Sequence, residues 1–185
     1  MKILVTAFLF GIAHAEPAKE LWPEKPFEHV VAYCYTPFRD DRGSSITFDD
    51  GSLNTGIIQA TTVRLNADQT NELRKILSTD SDSTNGGVLC YYSHHAFVFY
   101  DADWKVTASI DICFQCSDYK HRSGTVSDSI DLAVLKAFCS RIGLPMFKDS
   151  PGYSKLFAQE QPPRPTKSTN KQNKSEMATP RKPSD

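Results

Sequence analysis

The sequence has no excess of charge of either sign, because its 21 Lys and Arg residues are balanced by 22 Asp and Glu residues. This balance excludes a strongly basic nucleic-acid-binding chain and a highly acidic disordered chain, so we expect no nucleic-acid partner. Long apolar runs are also lacking: the stretch from Ile3 to Ala13 has 11 residues and includes Thr6. Because a helix needs about 20 apolar residues to cross a bilayer, we expect no transmembrane segment in the mature chain.

The signatures of several common enzyme classes are missing. There is no GxSxG, no GxGxxG and no Walker loop, so neither a nucleophile elbow nor a nucleotide site is supported. The CxxC motif is followed by Ser117 rather than by the His that covalent haem attachment requires. Paired carboxylates occur without EF-hand spacing and are typical of solvated turns. These absences favour a protein that is not an enzyme.

The first 15 residues have the pattern of a secretory signal peptide. Lys2 supplies a positive charge, the apolar run follows, and Ala13-His14-Ala15 places small residues at positions −3 and −1 of a signal-peptidase site. The cleavage point has no cysteine for lipid attachment. The pattern predicts cleavage after Ala15 and export of a soluble chain to the periplasm or the extracellular space.

A change in composition marks the other end of the chain. Residues 158–185 contain five prolines and no aromatic residue, so they cannot bury enough apolar surface to offset the entropy of ordering them. We predict a disordered Pro/Lys-rich tail there. Its six basic and three acidic residues suit contact with an anionic envelope surface, although a solvated linker is the commoner role. Residues 16–157 are then predicted to form one domain.

Strand patterns within this domain predict a small, mostly antiparallel sheet. Residues 29–35 and 56–65 are rich in β-branched and aromatic side chains. Residues 88–100 and 105–114 are predicted to pair as a long hairpin, and the second of these strands alternates apolar and polar residues with a period of two.

Two helices are predicted to pack on this sheet. Asn66 is the expected N-cap of the first, because Gln69 three residues later completes a capping box. The second is expected to run from Asp128 to Ile142, with an apolar stripe of Ile130, Val134, Leu135, Phe138 and Ile142. Strands interleaved with two helices indicate an α+β fold.

The five cysteines are the residues most suited to chemistry. Export to an oxidising compartment makes disulfides the default state, but an odd number leaves at least one thiol for another role. If the hairpin turns near residues 102–103, the numbers of paired residues sum to about 204–206. Cys90 is then expected to lie beside the CxxC motif of Cys113 and Cys116.

Three interpretations of this cluster are open. Cys90 forms a disulfide with Cys113 or Cys116 and staples a non-catalytic interaction module of the cell envelope. Alternatively, the cluster binds a tetrahedrally coordinated metal ion such as zinc, and the predicted ligands are Cys90, His95 (or His94), Cys113 and Cys116. Asp111 would then orient a histidine by a hydrogen bond without binding the metal itself. In the third interpretation the CxxC exchanges disulfides as an enzyme, which normally requires a helix N-terminus beside the motif.

The segment from Cys90 to Asp101, followed by Ile110-Asp-Ile-Cys-Phe-Gln-Cys116, resembles a pattern in a family of uncharacterised exported bacterial proteins. That pattern is Cys-Tyr-x-Pro-(Arg/His)-His, then a Phe-Tyr-Asp hairpin, then (Glu/Asp)-Ile-Cys-Phe-x-Cys. The resemblance covers roughly residues 65–145, and Ser93 stands where the pattern has Pro. It implies that the Cys/His cluster matters, and it implies no particular activity.

Overall fold

The computed structural model describes residues 21–37, 39–82 and 92–161. Within these ranges the chain forms five strands, three α-helices and one 3₁₀ turn. The strands are β1 His29–Cys34, β2 Val63–Arg64, β3 His95–Tyr100, β4 Val106–Cys113 and β5 Asp118–Arg122; the helices are α1 Ala67–Ser78, α2 Leu132–Arg141 and α3 Ser150–Glu160; the 3₁₀ turn is Gln59–Thr61. The predicted signal peptide lies outside the described residues, as does most of the predicted tail.

The five strands form one antiparallel sheet in the order β2-β1-β3-β4-β5, which confirms the α+β prediction. One face of the sheet packs against the helices through a large apolar core that includes Ala32, Phe97 and Ile110. The other face is covered by the loop between β1 and β2 through a smaller core that includes Val31, Ile46 and Val98. Both faces of the central strands are therefore buried. No helix among the described residues is long and apolar enough to cross a membrane.

The predicted hairpin is present with a different register. His95 pairs with Ile112 and Phe97 with Ile110, so the numbers of paired residues sum to 207 rather than 204–206. The difference has two causes: a bulge between Phe99 and Tyr100, and a turn in which Asp101 accepts hydrogen bonds from the backbone of Asp103 and Lys105. The first strand of the hairpin begins at His95, because residues 92–94 are not in strand conformation.

The first helix confirms its predicted capping box. The Asn66 side chain accepts a hydrogen bond from the Gln69 backbone at 2.9 Å, and the Gln69 side chain accepts one from the Asn66 backbone at 3.0 Å. Two backbone N–H groups that would otherwise lack a partner are thereby satisfied. Leu73 and Leu77 then point into the core on the helix side of the sheet.

The second helix begins later than predicted. Asp131 caps α2 by accepting hydrogen bonds from the backbone of Ala133 and Val134, so the helix starts at Leu132 rather than at Asp128. The predicted position of Val134 in the buried stripe is wrong, because this side chain is 49% exposed. Apolar spacing alone did not distinguish the buried face from its border.

Three other segments differ from the sequence prediction. Of residues 56–65, only Val63–Arg64 form a strand. Residues 118–122, for which no strand was predicted, form the edge strand β5, because pairing with β4 supplies their backbone hydrogen bonds. Helix α3 was not predicted, and it includes the first three residues of the predicted tail. Its last residue, Glu160, accepts hydrogen bonds from the backbone of Gln59 and Ala60 at 2.8 and 2.6 Å.

Candidate functional site

The CxxC motif forms the turn between β4 and β5. Cys113 is the last residue of β4 and pairs with Asp118, the first residue of β5. Ser117 has a φ of 50°, and this left-handed conformation lets the chain reverse within four residues. Both cysteine side chains are buried. The turn therefore presents two sulfur atoms to the protein interior from adjacent positions of one tight loop.

Within this turn, the backbone N–H of Cys116 donates a hydrogen bond to Sγ of Cys113 at 3.2 Å. The hydrogen bond fixes the direction in which the Cys113 side chain points. Cys90 lies outside the described residues, so its predicted place beside this turn stays a prediction.

His95 lies at the start of β3 and reaches the loop before α3. Its Nε2 is 3.0 Å from the backbone carbonyl of Pro145. Because a carbonyl can only accept, Nε2 carries the proton and Nδ1 keeps its lone pair. Burial lowers the pKa of His95 to about 4, and this outweighs the hydrogen bond to Pro145, which acts in the opposite direction. The ring is therefore neutral, and it packs against Phe114 of the CxxC turn with 5.1 Å between ring centroids.

His94 is held from three sides. Its Nδ1 donates to the backbone carbonyl of Tyr35 at 3.0 Å, and its Nε2 is 2.8 Å from Oγ of Ser150. The ring of Tyr153 stacks on it at 4.2 Å with an angle of 8° between the planes. Burial lowers the pKa of His94, so it too is a neutral base. Both ring nitrogens of His94 have partners within the chain.

Asp111 is buried, although it is one of the polar residues that alternate with apolar ones along the strand. Its Oδ1 accepts hydrogen bonds from the Tyr35 hydroxyl at 2.8 Å and from the backbone N–H of Ile46 at 2.9 Å. Burial raises the pKa of Asp111 to about 6. These contacts tie Asp111 to the loop side of the sheet, whereas His95 faces the helix side. Its predicted role in orienting a histidine has no support in these contacts.

Two other cysteines lie in the core on the helix side. Cys34 is on β1 and Cys139 is on α2, and both are fully buried. Burial raises the pKa of Cys34 to about 12, and that of Cys139 rises through burial and through the neighbouring Cys34. Cys34, Cys113 and Cys139 form no disulfide. The two core thiols are unreactive as they stand, and they behave as small apolar side chains.

A pocket of about 180 Å³ opens beside the two histidines. Its lining includes aromatic rings and two lysines but no acidic residue, and it consists of Tyr92, His94, His95, Phe114, Gln115, Lys136, Met146, Phe147, Lys148 and Tyr153. Four of these residues lie after α2, in a segment for which the sequence analysis predicted neither a helix nor a strand. Asp149 followed by Pro151 is typical of a helix start, and apolar residues at 153, 156 and 157 have helical spacing, so this signal was present.

The predicted four-ligand metal site is not assembled within the described ranges, where no group of three or more His, Cys, Asp or Glu side chains is placed to hold a metal ion. The structure brings Cys113 and Cys116 together and sets His95 against the residue between them. Comparisons with protein-family models, with curated proteins and with solved structures found no match to this chain.

Proposed function

We propose that this protein is a small exported domain that binds a divalent metal ion such as zinc through its CxxC turn. The observation that carries the proposal is the hydrogen bond from the Cys116 backbone to Sγ of Cys113, in a turn with both cysteines buried. Two thiolates separated by two residues are a standard half of a tetrahedral zinc site. Cys90 is the third ligand in this proposal.

His95 is the better candidate for the fourth ligand. Metal-binding histidines usually donate their second ring N–H to a carbonyl or carboxylate, which fixes the tautomer and the ring orientation. The bond from His95 to Pro145 has this form and leaves the Nδ1 lone pair for a metal ion. His94, the alternative, already uses both ring nitrogens. Binding is expected to draw His95, Cys90 and the turn together, because the described side chains alone do not converge.

The experiment is metal analysis of protein secreted with its own leader, followed by replacement of the metal with Co²⁺. We expect about one zinc per chain and the visible absorption of tetrahedral cobalt–thiolate. Cys113→Ser, Cys116→Ser and His95→Gln should each weaken binding at least 10-fold. Cys34→Ala, in the core, and His121→Gln, on the exposed edge strand, are the matched controls and should bind normally.

A disulfide-stapled interaction module of the envelope is the second candidate. The exposed Trp104 favours it, because its ring packs on His29 at 4.3 Å and lies under the Arg64 guanidinium, which forms an aromatic and cationic patch at the sheet edge. Thiol counting on unfolded, unreduced protein separates the two candidates. A metal site leaves all five thiols reactive after chelation, whereas a Cys90–Cys116 bridge leaves three. Three thiols without metal would refute the first proposal.

The thiol-exchange enzyme is the least supported of the three candidates. Such enzymes place their CxxC at the N-terminus of a helix, which lowers the thiolate pKa. Here the motif is a turn between two strands, and the chain continues directly into β5.

A further inference from the structure

We infer that the pocket beside the two histidines binds a small aromatic carboxylate, meaning a single ring that carries one carboxyl group. The pocket has a volume of about 180 Å³. A protein cavity of about 150 Å³ is large enough to hold benzene, so this pocket accommodates one ring and a small substituent. Binding of this kind needs neither a metal ion nor a protonated histidine, because lysines supply the charge and aromatic rings supply the contact surface.

Aromatic rings make up most of the pocket wall, since six of its ten lining residues carry one. His94, His95 and Tyr153 are buried and form the inner part of the wall. Tyr92 and Phe147 are 44% and 39% exposed, so they stand at the opening. Aromatic side chains pack favourably on another ring in offset or edge-to-face arrangements. A flat ring is therefore the shape that this wall accommodates best.

Hydrogen bonds hold the wall in place without a ligand. Gln115, in the CxxC turn, donates from Nε2 to the backbone carbonyl of Lys148 at 2.6 Å. The hydroxyl of Tyr153, on α3, accepts a hydrogen bond from the backbone N–H of Phe147 at 3.1 Å. These two bonds tie the loop of residues 145–148 to the CxxC turn on one side and to α3 on the other. A pocket that is already ordered loses little conformational entropy when a ligand binds.

Gly152, in the first turn of α3, permits the close approach of the Phe147 ring. A Cβ atom at position 152 would lie 2.5 Å from Cγ of Phe147, a separation that van der Waals radii do not allow. Alanine is a much better helix former than glycine, so helix formation alone does not explain a glycine at this position. The contact with Phe147 does explain it, and it places that ring at the pocket opening.

Two lysines give the pocket a positive charge. Lys136 comes from α2 and Lys148 from the loop before α3, so the two charges reach the pocket from separate elements. None of the described residues that line the pocket is acidic. Complementary charge favours an anionic ligand and disfavours a cationic one. A carboxylate on the ring is therefore favoured over an amine.

The volume sets the upper and lower limits of ligand size. Sites for drug-sized ligands have volumes of about 300–1,000 Å³, so a nucleotide or a compound with two rings exceeds this pocket. An acid without a ring, such as acetate, would leave the aromatic wall without contacts. Benzoate meets the requirements of size, shape and charge together.

The experiment titrates the full chain, freed of metal by a chelator and dialysed, with sodium benzoate. We expect one site per chain with a Kd of about 1 mM or lower. Changes in amide chemical shift should cluster at residues 114–115 and 146–148. Benzamide, benzylamine and acetate, which lack the negative charge, reverse it or lack the ring, should each bind at least 10-fold more weakly.

Variants of the pocket residues test the same site. Lys136→Gln and Lys148→Gln should each weaken benzoate binding about 5-fold, because each removes one solvent-exposed charge pair. Lys155→Gln, on α3 and outside the lining, is the matched control and should bind normally. Gly152→Ala should displace the Phe147 ring and also weaken binding.

Thermal unfolding identifies any variant that fails to fold, and the lysine variants change only exposed side chains. Three results would each overturn the inference: no binding of benzoate, equal affinity for benzamide, or shift changes away from the pocket. Binding that appears only after Zn²⁺ is restored would place the carboxylate on the metal ion and would overturn it as well. Binding without metal supports it whatever the outcome of the metal analysis.

Discussion

Removal of the Tyr35 hydroxyl is the sharpest test of the buried polar network on the loop side of the sheet. This hydroxyl is fully buried, donates to Asp111 Oδ1 at 2.8 Å and also contacts Oγ of Ser93. Tyr33 is the matched control: it lies two residues earlier, on β1, and belongs to the same apolar cluster. Among the described residues its hydroxyl bonds only to that of Tyr100, at 2.8 Å.

The charge of the acceptor sets the expected magnitudes. A hydrogen bond to a charged group contributes about 1.5–3 kcal/mol, whereas one between neutral groups contributes about 0.5–1.5 kcal/mol. Asp111 has a pKa of about 6, so it is mostly ionised at pH 7.5. We therefore expect Tyr35→Phe to lower the free energy of unfolding by about 2–3 kcal/mol at that pH, and Tyr33→Phe by about 1 kcal/mol.

Lower pH should bring the two variants together. At pH 4.5 Asp111 is mostly protonated, and its bond from Tyr35 becomes one between neutral groups. The cost of Tyr35→Phe should then fall towards about 1 kcal/mol. Urea unfolding followed by circular dichroism at both pH values measures this. Equal costs at pH 7.5, or a difference that does not shrink at pH 4.5, would refute the reasoning.

Two further predictions concern pH and the start of α2. Burial raises the pKa of Asp111 to about 6, so its contribution to stability is complete below about pH 4 and is lost as pH rises through 6. Burial lowers the pKa of His95 to about 4, so its contribution to stability is lost as pH falls from about 6.5 to 4. With a chelator present, Asp111→Asn should lose stability relative to the wild type as pH falls from 7 to 4.5, and His95→Gln should gain stability relative to the wild type. Stability profiles of both variants that run parallel to that of the wild type would contradict both assignments. Asp131→Ala should cost about 1 kcal/mol through the lost N-cap, and Asp128→Ala nearly nothing; the reverse order in thermal unfolding would restore the helix start predicted from the sequence.

Locally determined structure was predictable from the sequence. The capping box of Asn66 and Gln69 depends on residues three apart, so its signal survives in any tertiary context. The strand β4 was predicted for a similar reason, because its apolar and polar residues alternate over eight positions. By contrast, β5 has little strand character of its own and exists because β4 offers it a free edge.

The register of the hairpin was less predictable, because it depends on the turn. Asp101 accepts two backbone hydrogen bonds and Trp104 takes a left-handed φ of 61°, a conformation rarely adopted by a bulky residue. The bulge after Phe99 separates two registers: Tyr100 pairs with Val106, within the predicted range of sums, whereas the pairs from His95 to Phe99 sum to 207. A shift of this size decides which residues face the CxxC motif.

The alternation of polar and apolar residues along β4 does not indicate that Asp111 is buried. A period of two assigns Asp111 to a solvent face only if one face of the sheet is free. Here residues 39–57 fold over that face, and Ile46 and Tyr35 supply the donors that make a buried carboxylate tolerable. The sequence of β4 does not indicate that this face is covered, because the donor Ile46 lies in an irregular loop about 65 residues earlier in the chain.

The two histidines show that residue type alone does not define the chemistry of a site, because hydrogen-bond partners set the tautomer. His94 and His95 were candidates because imidazoles near a CxxC motif suit metal ions, yet their chemistry is set by carbonyls and a hydroxyl 50 or more residues distant. One carbonyl leaves His95 with a lone pair on Nδ1, and another leaves His94 with a lone pair on Nε2, towards Ser150. Two adjacent rings of the same residue type therefore present opposite nitrogens to different neighbours. Because a backbone carbonyl fixes the ring proton in each case, reversing either tautomer would require breaking that hydrogen bond.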